Sequence, residues 1–149
     1  MKGKLLLLLA AIILLTSCIG PKGDPGEGMG WFVKEYTITE KRWELMNGRD
    51  QLNSFFRAEI KIPELDKYVY DKGNVFVYMF QEVEGDEVQT LLPFTIPYGE
   101  ERYNGQKHLW TETHSYDFTI GSIMIYVNYS DFYTSNTPPA ATFRVVLNY

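Results

Sequence analysis

SFFRAEIKIP, residues 54–63, alternates apolar and polar side chains, and its reading decides the fold. Phe56, Ala58, Ile60 and Ile62 share one face of an extended chain, Arg57, Glu59 and Lys61 share the other, and Pro63 stops the ladder. A period of two with one apolar face predicts a strand that packs on one side and meets water on the other. Working outward, Phe32, Tyr36 and Ile38 repeat the pattern near the start of the segment, and Phe143, Val145 and Leu147 repeat it at the end. Val75 to Gln81 and Glu87 to Leu92 flank Gly85 and Asp86, which read as a hairpin turn, and Asn47-Gly48 marks another tight turn. His108 to Phe118 and Ile120 to Tyr129 meet at Gly121, and Pro138-Pro139 closes the loop before the last strand. No window after residue 30 has a helical period with caps, so parallel βαβ units are not expected. The expectation is an all-β domain over residues 31–149, an antiparallel β-sandwich, jelly-roll-like, of about eight strands. A closed barrel is the alternative, because strand patterning does not fix how a sheet closes.

Composition agrees with one such domain. The chain has 149 residues, of which 45% are apolar and 15% aromatic, an aromatic share that suits half-buried strands. Its formal net charge is −5. With that acidic balance and no basic stripe after residue 30, nucleic acid and anionic membrane surfaces are not expected as partners.

The amino terminus reads as an export signal over residues 1–17. Lys2 and Lys4 precede an apolar run from Leu5 to Leu15, followed by small residues. That run is too short for a membrane span, which needs about 20 apolar residues. Leu15, Thr16, Ser17 and Cys18 resemble the bacterial lipobox, in which the cysteine accepts a diacylglyceryl group through a thioether and becomes the new amino terminus. Cys18 is the only cysteine, so it has no internal disulfide partner. Membrane attachment through lipid on Cys18 is the expectation, with no other cofactor. Ile19 lacks the aspartate that retains proteins of this class at the inner membrane, which favours the outer membrane. Residues 18–30 then form a linker with three collagen-like triplets from Gly20 to Gly28, too few for a triple helix, and read as an extended, solvated spacer.

Candidate chemistry is sparse. His108, Trp110, Glu112 and His114 share one face of a strand, but the two histidines lie roughly 20 Å apart at about 3.3 Å per residue, so only Glu112 and His114 could share an ion, and no metal site is expected. Trp110 reads as a core residue. Glu82, Glu84, Asp86 and Glu87 read as a solvated hairpin tip, and Glu100, Glu101 and Arg102 as an exposed loop. No nucleophile elbow or phosphate-cradling loop is present, so no catalytic residues are assigned. Trp43, Tyr98, Tyr103, Phe132 and Tyr133 are the candidates for stacking on a ligand, with Phe55 and Tyr129 as further outward aromatics.

Taken together, Leu15 to Cys18, Gly20 to Gly28, and the segments Leu91 to Glu101, Trp110 to Asp131 and Thr142 to Tyr149 resemble small Bacteroidetes-type lipoproteins with a lipobox, a short collagen-like spacer and a β domain of unassigned activity. The resemblance implies an envelope location and a β fold, and brings no catalytic residues with it. The expected function is a non-catalytic module that binds glycan or an envelope protein. The alternatives are an assembly accessory of an outer-membrane complex and a hydrolase, which would need a pocket lined by Glu100, Glu101 or His114.

Overall fold

A computed structural model of the chain describes residues 30 to 103 and 105 to 149. The signal, Leu15, Thr16, Ser17 and Cys18, and the spacer up to residue 29 lie outside the described residues. Nine strands and one short helix follow in the order β1 (Trp31–Ile38), β2 (Glu44–Met46), β3 (Phe55–Lys61), α1 (Lys67–Lys72), β4 (Asn74–Val83), β5 (Asp86–Leu91), β6 (Phe94–Glu101), β7 (Lys107–Thr119), β8 (Ser122–Tyr129) and β9 (Ala141–Asn148). They form two antiparallel sheets, a four-stranded one in the order β1-β9-β4-β5 and a five-stranded one in the order β2-β3-β8-β7-β6. The domain is therefore a β-sandwich and not a closed barrel.

The alternation decides which face is buried. Phe56, Ala58 and Ile60 of β3 pair with Val127, Ile125 and Ile123 of β8, and all six are at most 2% exposed. Val75 and Val77 of β4 and Phe143, Val145 and Leu147 of β9 supply the opposing layer. Each Val, Leu, Ile or Phe side chain among them contributes about 1.5–3 kcal/mol on full burial.

Two strands were not foreseen in the sequence: β2, which has three residues, and β6, an edge strand that contains Pro97 and Gly99. Pro is tolerated there because an edge strand leaves one row of backbone groups unpaired. Glu100 and Glu101 consequently sit on β6 and not in a loop. The helix α1 was also not expected. Its six residues are too few to show a period, but Asp66 caps it, Oδ1 accepting from the Val69 N–H at 2.9 Å, and Val69 is buried. Gly73 ends it where a Cβ would lie 2.8 Å from the Val69 carbonyl oxygen and 2.9 Å from that of Asn148.

The topology gives the sandwich two unlike ends. Gly30, the β9 terminus, α1 and the Ile120-Gly121 turn gather at one end, where the Gly121 N–H donates to Leu65 O at 2.8 Å and the Tyr149 N–H to Gly30 O at 3.0 Å. The β4–β5 and β6–β7 turns, the loop before β3 and the long loop after β8 gather at the other.

Candidate functional site

The thirteen-residue strand β7 carries the core face of the large sheet out to this second end. Its residues His108, Trp110, Glu112, His114 and Tyr116 alternate onto that face, and they emerge progressively. Tyr116 reaches across to the small sheet, its hydroxyl donating to Val75 O at 2.8 Å. The His114 side chain is 4% exposed, Glu112 18% and His108 27%. Across the ladder, β6 sets Tyr98 opposite Trp110 and Glu100 opposite His108, while β8 sets Tyr129 opposite Glu112. The loop after β8 adds Asp131, Tyr133 and Asn136 as a facing wall, and the resulting cleft has a volume of about 600 Å³.

Its floor is aromatic. Trp110 stacks with Tyr98, ring centroids 5.5 Å apart and planes 19° from parallel, and with His108 at 5.1 Å and 27°. Tyr129 packs edge-on to the core ring of Phe56 at 6.5 Å. Burial, with the nearby Glu112 carboxylate, pushes the phenols of Tyr98 and Tyr129 above their ordinary pKa. Both therefore stay neutral at physiological pH and offer hydroxyl groups that can donate or accept.

Three acids and one histidine line the walls. His108 sits between two carboxylates, Nδ1 at 3.4 Å from Glu100 Oε1 and Nε2 at 3.2 Å from Asp131 Oδ2. Arg102 Nε lies 3.9 Å from the same Glu100 oxygen. Behind the wall, His114 is buried and does not line the cleft; its Nε2 lies 2.7 Å from Glu112 Oε1. Glu112 and His114 thus engage each other directly, and among the described residues no group of three or more His, Cys, Asp or Glu is placed to hold a metal ion.

The loop wall is fixed from the far side of the sequence. The Asp50 carboxylate accepts from the Thr134 N–H at 2.6 Å and from the Ser135 hydroxyl at 2.5 Å, while the Asp50 N–H donates to Thr134 Oγ1 at 2.8 Å. Thr134 is fully buried. The hydroxyl of Ser135, and then the Thr134 groups, hold the Asp50 carboxyl below the usual carboxylate range. Asp50 has φ 51°, a left-handed conformation that Asp tolerates better than most residues.

Of the stacking candidates read from sequence, Tyr98 and Tyr133 line the cleft, as does Tyr129 from the further outward aromatics. Trp43 does not: it is 7% exposed, meets Phe143 edge-on at 6.5 Å, and its Nε1 donates to Pro139 O at 3.2 Å, so it is a core residue. Tyr103 is fully exposed in the β6–β7 turn, and Phe132 is half-buried with φ 57°; neither lines the cleft. Phe55 packs against Tyr126 at 6.0 Å instead. Trp110, expected in the core, is in the cleft floor. The signal that could have found it was the even spacing of His108, Trp110 and Glu112, polar residues on what is otherwise a core face. Compared with protein-family models, curated proteins and solved structures, the chain matches none.

Proposed function

We propose that this chain is a lipid-anchored envelope lipoprotein whose β domain binds a saccharide, without catalysis, in the Tyr98–Trp110 cleft. The observation that carries the binding reading is the combination of stacked aromatic floor and acid-rich walls in one groove of about 600 Å³. Sugar rings present apolar C–H faces and a rim of hydroxyl groups; Tyr98 and Tyr133 offer exposed ring faces for the former, and Glu100, Glu112, Asp131 and Asn136 offer acceptors and donors for the latter. The anchor reading rests on the residues Leu15 to Cys18 alone.

A glycan array probed with the soluble domain, followed by titration of the Trp110 emission in a Trp31→Phe background with buried Trp43 as a constant contribution, tests the binding reading. Tyr98→Ala and Tyr133→Ala are each expected to weaken saccharide binding by about tenfold, the scale of one lost stacking contact. Absence of binding to every envelope and host polysaccharide would exclude it. A hydrolase is the second reading, favoured by the two carboxylates of Glu100 and Asp131 on either side of His108 in the same cleft. Mass analysis of oligosaccharides after incubation separates the two: intact sugar supports binding, and shortened sugar supports hydrolysis.

A further inference from the structure

The end of the sandwich opposite the cleft carries its own group of exposed rings. Trp31, Tyr68, Tyr70, Phe118, Ile120 and Tyr149 are between 38% and 62% exposed. They come from four separate stretches, and four of them meet in two pairs: Tyr68 is edge-on to Tyr149 at 6.3 Å, and Tyr70 to Phe118 at 5.8 Å, while Trp31 sits at the same end as the residue opposite Asn148 in the β1–β9 ladder. The six-residue α1 serves chiefly to present two of them, since only Val69 of its residues is buried. Of the acids near this end, Asp66 caps α1, Asp71 is paired with Lys67 at 2.8 Å, and Asp117, beside Tyr70 and Phe118, accepts from the Tyr126 hydroxyl at 2.8 Å, so the face is apolar with an acidic rim and suits a zwitterionic lipid surface better than an anionic one.

We infer that this aromatic end is a membrane-contact face that lies in the interface of the lipid bilayer and turns the cleft outward. The inference rests on the reading of Cys18 as the lipidated residue. The chain enters the domain at this face, where the Gly30 N–H donates to Tyr149 O and a Cβ on Gly30 would collide with the Tyr149 ring at 2.5 Å. Between Cys18 and Gly30 run eleven residues, a reach of at most about 35 Å, so the tether joins the domain at its aromatic end and allows that end to reach the lipid. Trp and Tyr are the side chains that settle at headgroup depth, because an apolar ring with a polar edge suits a region with both kinds of surroundings. Fatty chains on a cysteine give attachment but no orientation; a ring-bearing face beside the tether supplies it.

The three tryptophans make this testable, for they sit at the tethered end (Trp31), in the core (Trp43) and in the cleft (Trp110). Full-length protein purified from envelopes is reconstituted in phosphatidylcholine vesicles with brominated acyl chains, which quench indole emission at short range. The expected result is about a twofold loss of Trp31 emission, seen in wild type and in Trp110→Phe, abolished in Trp31→Phe, and reduced by the Tyr68→Ser, Tyr70→Ser pair. All substituted residues are at least half accessible or lie outside the core, and far-ultraviolet circular dichroism checks the fold. Protein that floats with the vesicles but shows no quenching, or quenching that survives Trp31→Phe and disappears with Trp110→Phe, overturns the inference. So does crosslinking that pairs this face with a second copy on the vesicle. Protein that neither floats nor carries acyl mass on Cys18 overturns the anchor reading itself, and the inference with it.

Discussion

Phe143 shows how much of the stability rests on single core positions. It is fully buried in β9, faces the large sheet and holds the edge of Trp43. Phe143→Ala should cost about 3–5 kcal/mol in urea unfolding, from lost transfer energy plus the cavity left behind. Trp43 is its instructive neighbour. In the sequence, Trp43 stands among charged residues after Glu40, Lys41 and Arg42, and so looks exposed; a 3-10 turn over those three residues instead swings it inward, where Pro139 accepts its N–H. Trp43→Phe should therefore lower stability and leave saccharide titration unchanged, whereas Tyr98→Ala should do the reverse. A single experiment, thermal unfolding with and without sugar, separates the two roles.

Among elements, the β4–β5 hairpin is where local chemistry speaks most plainly. Its two central residues, Glu84 and Gly85, have φ 55° and 91°, the backbone of a type I′ turn whose twist matches that of the strands. The turn was legible from Gly85, although one residue earlier than the Gly85-Asp86 reading, since Glu84 gives no sign that it adopts positive φ. Nothing lies within 4 Å of a Cβ built on Gly85, so Gly85→Ala meets no clash and its cost is conformational alone, about 1 kcal/mol. Glu84→Asn should raise the urea midpoint slightly, because Asn tolerates this region better; a midpoint that falls would mean that Glu84 holds the turn by some other interaction. Long alternating strands such as β3, β8 and β9 were legible because one whole face had to be apolar, and β7 by its length and β-forming residues although its core-side face carries His108, Glu112 and His114. β2 and β6 were not, because a short edge strand has little pattern to show and edge strands accept the Pro and Gly that elsewhere mark a loop.

At the scale of the whole molecule, the cleft joins residues that no local pattern relates. Tyr98 and Trp110 come together through the β6–β7 register, and the opposite wall is held by Asp50, which lies 84 residues from Thr134. Sequence showed the stacking residues Tyr98 and Tyr133 as outward aromatics but could not show the latch, because an Asp in a loop usually signifies only solvent. Its effect can be argued with the sign explicit. The folded state holds the Asp50 carboxyl below its unfolded pKa of about 3.9, so its contribution to stability is complete above that value and disappears as pH falls through the lower folded one. Asp50→Asn keeps the left-handed backbone tolerable and the acceptor for Thr134, but its amide nitrogen cannot accept from Ser135. The acid limb of the stability profile below about pH 4 should accordingly be shallower in the variant than in wild type. Asp131 and Tyr133 ride on the same loop, so loosening it adds an ordering cost to each binding event while Tyr98 and Trp110 stay in place on their strands. Saccharide affinity at neutral pH should then fall several-fold in Asp50→Asn, with the unfolding midpoint moving far less than for Phe143→Ala. Equal losses in both measurements would mean that Asp50 supports the fold as a whole rather than the wall of the cleft.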